Sequence, residues 1–139
     1  MKNLIFTIVL ISICSLTYAQ EQEPTEPETF QMEWEGEKVT MQKYFIVFLK
    51  KGPNRDQPEE ERQQIQEKHL AYLGKLFKEG VLNINGPTGD NGEISGISVY
   101  STATLEEAVE LAEGDPAVQA GRLVVEAHSW WVAKGSSVK

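Results

Sequence analysis

Residues 44–49 read YFIVFL and are followed by KKGP at 50–53; this stretch decides the fold. A continuous apolar run, rich in β-branched and aromatic residues and closed by a Gly-Pro pair, is typical of a strand covered on both faces. It predicts the central strand of a layered domain that contains both a sheet and helices.

A helix is predicted directly after this strand. Pro58 precedes three glutamates, which suit the positive end of a helix dipole, and the helix runs to about Lys78, where Gly80 stops it. Spacings of three and four residues give it one apolar face. That face consists of Ile65, His69, Tyr72, Leu73 and Leu76.

Three further strands are predicted from short β-prone runs. They cover residues 81–85, 93–101 and 123–131, and the glycine-rich segment 86–92 supplies the turn between the first two. Because this segment joins two strands and does not lead into a helix, it is not a phosphate-binding loop.

A second helix lies between the last two strands. Thr104 and Glu107 form a capping box at its start, and Gly114 ends it. Asp115 and the proline after it open a brief helical turn that reaches Gly121.

The order strand, helix, strand, strand, helix, strand predicts an α+β, ferredoxin-like βαββαβ sheet with both helices on one face. Two helices cover only one side of such a sheet. Tyr100, Trp130 and Trp131 are candidates for an apolar surface on the other side, so we expect a homodimer through the open sheet face.

Length and charge restrict the function. The chain has 139 residues, enough for one domain, and 13 basic against 21 acidic residues give a net charge of -8. A negative surface disfavours nucleic acid and anionic membranes, because phosphates need a positive field. The prediction is therefore no nucleic-acid partner and no membrane contact after signal cleavage.

The first 19 residues predict a signal peptide. A lysine at position 2, an apolar stretch from Leu4 to Ile13 and the small residue Ala19 before polar Gln20 match an export signal. Cleavage removes Cys14, the only cysteine; a lipoprotein acylated at Cys14 is the alternative. The expected location is the periplasm or the medium, where cofactor-free chemistry fits best.

Residues 20–41 are predicted to be an acidic, flexible arm. The alternation of Phe30, Met32 and Trp34 with polar residues also fits a strand at a sheet edge, and both alternatives stay open. The folded domain is predicted over 42–134, followed by a tail over 135–139.

The sequence resembles the YCII-related domain family of small dimeric α+β barrel proteins. The likeness covers about residues 42–132 and is carried by YFIVFLKKGP at 44–53, His69, Gly86-Pro87 and TLEEAVELAEGDPAVQAGRLVVEAHSW at 104–130. The family is similar in fold to muconolactone isomerases and includes a dehydrochlorinase that acts on a chlorinated hydroxyquinol.

The resemblance implies an active site built on His69 and Asp115. Ala117 stands where the family commonly has Phe, and Ser129 stands where it has Pro. Because of these differences, the resemblance does not identify the substrate. If Asp115 accepts a hydrogen bond from one ring nitrogen, the other nitrogen can act as a general base. Such a base suits a lyase or isomerase that acts on a small cyclic or halogenated compound.

Other readings of these residues remain. His69 is also consistent with a packed core residue and Asp115 with an ordinary helix cap, in which case the domain is a non-catalytic dimeric module for a small ligand or a protein. Two histidines alone make a poor zinc site, so no metal is predicted. The candidates for substrate contact are Tyr72, Gly86, Pro87, His128 and Trp130.

Overall fold

The computed structural model describes residues 24–139; the predicted signal peptide and Cys14 lie outside them. Five strands and three helices follow one another along the chain. They are β1 (Thr29–Trp34), β2 (Glu37–Lys51), α1 (Glu59–Lys78), β3 (Leu82–Pro87), β4 (Ile94–Tyr100), α2 (Leu105–Glu113), α3 (Pro116–Gln119) and β5 (Leu123–Ala133).

Strand β2 is the centre of one antiparallel sheet. Its Met41–Lys51 segment pairs with β5 along one edge, and its Phe45–Lys50 segment pairs with β4 along the other. Strand β3 pairs with β4 on the outside. The resulting order β3-β4-β2-β5 is that of a ferredoxin-like sheet and confirms the predicted fold class.

The flexible-arm prediction is wrong for residues 29–41. Strand β1 pairs with Glu37–Gln42, and the turn between them uses positive φ angles at Glu35 and Gly36. The alternation of apolar and polar residues had allowed this strand. Phe30 packs edge-on against the Trp131 ring, with ring centroids 4.8 Å apart, which attaches the hairpin to β5. The sheet therefore begins at Thr29, before the predicted boundary.

Helices α1 and α2 cover the same face of the sheet. Inward side chains of β2 alternate with outward ones, and the inward set packs against leucines of α1 and alanines of α2. Among residues 24–139, no helix is both long and apolar enough to cross a bilayer. The core cluster is Phe45, Val47, Leu49, Leu73, Leu76, Leu82, Tyr100, Ala108 and Ala112.

The opposite sheet face carries no helix in the described chain. Ile84, Val124 and Trp130 are exposed there. Tyr100 was predicted for this surface but is buried in the core, because it pairs with Phe45 and shares its face. Trp131 is likewise on the other side, against Phe30. Of the three aromatic candidates, only Trp130 lies on the open face.

Candidate active site

A cavity of about 300 Å³ lies between α1 and the end of the sheet. Leu49 and Leu123 come to it from the sheet and Leu73 comes from the helix, so much of its wall is apolar. His69 belongs to the lining. An apolar hollow with a few polar groups is the usual form of a small-molecule site.

His69 and Asp115 are brought together beside this cavity. The imidazole sits on α1, and Asp115 is the N-cap residue of α3, where its Oδ1 accepts a hydrogen bond from the Ala117 amide at 2.8 Å. The His69 Nδ1 lies 2.7 Å from the Asp115 Oδ2. The aspartate is 2% exposed and the histidine side chain 13%, so this contact is largely shielded from water.

This contact fixes the histidine tautomer. A carboxylate only accepts hydrogen bonds, so the Nδ1 of a neutral His69 must carry the proton and Nε2 is left as an acceptor. Within residues 24–139, the Nε2 of His69 makes no hydrogen bond. In the same residues, every side-chain nitrogen or oxygen that is fully buried does have a hydrogen-bond partner, so Nε2 is not fully buried. Nε2 therefore reaches accessible space, as a general base must.

Gly86 and Pro87 line the cavity across from the helix. They were predicted to begin a turn, but they are the last two residues of β3, where they pair with Ile97 and Gly96. The strand continues because Gly96 leaves room: a Cβ there would press against the Gly86 carbonyl oxygen. These two residues form part of the wall.

Tyr72 does not belong to the cavity lining. Its hydroxyl donates a hydrogen bond to the Leu111 carbonyl oxygen at 2.7 Å and so joins α1 to α2. Burial raises the pKa of Tyr72, and the negative charges of Asp115 and Glu79 add to the shift. Its position assigns it to helix packing rather than to substrate contact.

His128 and Trp130 lie on the open sheet face, away from His69. Nε2 of His128 is 3.1 Å from the Glu126 Oε1, and the His128 side chain is 58% exposed. Trp130 borders a separate hollow of about 650 Å³, together with Tyr44, Ile84 and residues 135–138. The structure thus does not bring these two candidates to the histidine–aspartate pair.

Sequence reasoning missed Arg55 and Arg122, which also line the cavity. No motif marks them, and they are far apart in the chain. Burial and the positive charges of Arg55 and Arg62 lower the pKa of Arg122. Among residues 24–139, no group of three or more metal-ligating side chains is present.

One solved structure with a similar chain path is the 5-chloro-2-hydroxyhydroquinone dehydrochlorinase of Burkholderia phenoliruptrix, determined with 2,5-dihydroxybenzoquinone. It is 22% identical, with a TM-score of 0.49, and the match covers 63% of this chain and 92% of that one. A search of curated proteins finds no match. The family model for the YCII-related domain matches residues 44–130, well over half of the chain. The protein therefore belongs to the YCII-related domain family.

Proposed function

We propose that this domain is a small, cofactor-free lyase or isomerase in which His69 is the general base. The observation that carries the proposal is the 2.7 Å hydrogen bond from the His69 Nδ1 to a buried carboxylate beside a cavity. Asp115 holds the ring and stabilises the imidazolium that forms when Nε2 takes a proton.

The reaction begins with removal of a proton from a carbon next to a carbonyl group. Nε2 accepts this proton, and the electron pair moves onto the carbonyl oxygen to give an enolate. Return of the proton at another carbon completes an isomerisation; departure of a halide from the adjacent carbon completes an elimination. General base catalysis typically contributes about 10² to 10⁴-fold in rate.

The dimensions of the site favour a single-ring substrate. A volume of about 300 Å³ is at the small end of ligand pockets. Apolar side chains from both layers would contact the ring faces, while Asn85, Ser95 and Ser98 offer hydrogen bonds at its edge. Small cyclic or halogenated carbonyl compounds and phenols fit this description.

Hydrogen–deuterium exchange tests the base directly. The protein is incubated in D₂O with single-ring unsaturated lactones and with cyclic ketones that carry chlorine on the second carbon from the carbonyl. Proton NMR follows the hydrogens next to the carbonyl, and a chloride assay follows elimination. We expect turnover with one of these compounds and a loss of about 10²-fold or more in His69→Gln. His128→Gln is the matched control and keeps full activity.

Binding without turnover would favour the alternative. If a compound of this panel binds in the cavity but shows no exchange and no chloride release, the domain is a ligand-binding module. Equal activity of wild type and His69→Gln would also contradict the proposal.

We also propose that the open sheet face pairs with a second copy of the chain. Ile84, Val124 and Trp130 give that face exposed apolar area that a two-fold contact would cover. Sedimentation at micromolar concentration should give twice the monomer mass, and Trp130→Glu should give a monomer. A monomeric wild type would contradict this arrangement.

Export is part of the proposal. Cleavage after Ala19 would release the domain outside the cytoplasm, consistent with a reaction that needs no nucleotide cofactor. Mass spectrometry of the protein recovered from cells would show a chain beginning at Gln20; a full-length chain in the cytoplasm would contradict it.

A further inference from the structure

We propose that Arg55 and Arg122 form an anion-binding subsite in the cavity, so that the substrate is a single-ring compound with a carboxylate or another planar oxyanion. This inference rests on the proposed function, since the subsite would orient the ring toward His69. It specifies the class of substrate that the cavity selects.

The charge of the cavity wall is opposite to that of the chain. The whole protein has 21 acidic and 13 basic residues, yet none of the described residues that line the cavity is an aspartate or a glutamate. Its charged side chains are Arg55 and Arg122, with His69 alongside. A cationic hollow in an acidic protein attracts anions and concentrates them at that point.

Neither of these arginines is neutralised by a neighbour in the part of the chain that the structure describes. Among residues 24–139, no carboxylate lies within ion-pair distance of Arg55 or Arg122, whereas the third arginine, Arg62, pairs with Glu59. A guanidinium has five N–H donors. Arg55 uses one on the Arg122 carbonyl oxygen at 3.0 Å, and Arg122 uses one on the Gln57 Oε1 at 2.6 Å. Both retain donors for a ligand.

Two chain segments are joined tightly to place the arginines side by side. The Gly52 amide donates to the Arg122 carbonyl oxygen at 2.8 Å, and the Asn54 amide donates to the Gly121 carbonyl oxygen at 3.0 Å. A Cβ on Gly52 would collide with the Gly121 carbonyl oxygen, so glycine permits this close approach. Gln57 completes the connection: its Nε2 donates to the Ala120 carbonyl oxygen, and its Oε1 accepts from the Arg122 guanidinium.

This geometry brings two like charges together at a cost in free energy. Burial lowers the pKa of Arg122, and the positive charges of Arg55 and then Arg62 lower it further. A bound oxyanion would relieve this repulsion and accept paired N–H bonds from a planar guanidinium. The apolar walls would then hold the attached ring, with its reacting carbon toward the His69 end.

Benzoate and its neutral isostere benzamide test the subsite without any need for turnover. Calorimetric titration should show that wild type binds benzoate about 10-fold or more tightly than benzamide, since hydrogen bonds to charged groups are the stronger ones. Arg122→Gln and Arg55→Gln should each weaken benzoate binding by about 10-fold and leave benzamide binding unchanged. Arg62→Gln should change benzoate binding by less than about 2-fold, because Arg62 lies outside the cavity lining, is already paired with Glu59 and acts on the cavity only through screening solvent.

Several outcomes would overturn the subsite: equal affinity for benzoate and benzamide, an equal loss in Arg62→Gln, or wild type that binds neither compound. Arg55 is exposed, so Arg55→Gln keeps the test valid if Arg122→Gln does not fold. Retention of benzoate selectivity in His69→Gln would support the subsite even if the exchange assay showed no base. Loss of activity in His69→Gln without benzoate selectivity in wild type would overturn the subsite alone.

Discussion

The protein has two histidines, and each contacts a carboxylate, but on opposite faces of the same sheet. Under the helices, His69 and Asp115 are 2.7 Å apart, with side chains 13% and 2% exposed. On the open face, His128 and Glu126 are 3.1 Å apart, with side chains 58% and 47% exposed. The chemical groups are the same, and the surroundings differ.

The difference shows what burial adds to a titratable pair. Water and salt screen the exposed pair, which limits its contribution to stability. The carboxylate of the buried pair is also fixed by the Ala117 amide, so its imidazole is held in one tautomer. Under the proposed function, the buried pair alone has the fixed imidazole that a general base requires, although both pairs consist of a histidine and a carboxylate.

The largest stability effect is expected at Asp115. Asp115→Ala removes a helix cap and a buried hydrogen bond to His69, which should lower the free energy of unfolding by about 3 kcal/mol. Asp115→Asn keeps a side-chain oxygen for the cap, so its free energy of unfolding should fall less than that of Asp115→Ala. Denaturant titration measures both, and Glu126→Ala, which removes surface contacts with Lys50 and His128, should shift the midpoint only slightly. Equal losses in Asp115→Ala and Glu126→Ala would contradict the comparison.

A buried residue on the helix-covered face of the sheet, Tyr100, should make the free energy of unfolding depend on pH in the alkaline range. Burial raises the pKa of Tyr100 well above its ordinary value of 10.0, so above that pH the unfolded chain loses a proton that the folded chain keeps. The free energy of unfolding should then fall as pH rises, by up to about 1.4 kcal/mol per pH unit. Tyr100→Phe should flatten this slope in urea titrations. An unchanged slope would show that Tyr100 is not responsible.

The smallest effect on stability is expected from Glu126 on the open face, and it should appear at acid pH. Hydrogen bonds from His128 and then from Lys50 hold the pKa of Glu126 below its ordinary value of 4.5. Stability from these contacts is present above that value and is lost as pH falls through the lower folded-state pKa. Glu126→Gln should slightly reduce the fall in thermal midpoint between about pH 5 and about pH 3. A large reduction would mean that this pair is buried.

Much of the fold follows from local sequence signals. The apolar run at 44–49, the proline and glutamates before α1 and Gly80 after it place the central strand and the long helix correctly. The capping box also forms, although Glu107 accepts the Ala103 amide rather than that of Thr104. Strand β1 was undecided because its alternation suited either a hairpin or a solvated arm.

The candidate site was only partly predictable. The pairing of His69 with Asp115 could be predicted from the resemblance to the family. The face that each strand residue occupies depends on the register of the sheet, and the register of β5 places His128 and Trp130 on the open face, away from the site. Arg55 and Arg122 carry no local signal. They meet because two loops pack backbone against backbone at Gly52 and Gly121, a contact between segments about 70 residues apart.

The tautomer of His69 tests the central claim most directly. Long-range proton–nitrogen NMR spectra of the imidazoles, recorded at about pH 9 where an ordinary histidine is neutral, distinguish a proton on Nδ1 from one on Nε2. We predict a proton on Nδ1 and a bare Nε2 for His69, and loss of that preference in Asp115→Ala. A His69 protonated on Nε2 in wild type would contradict the account.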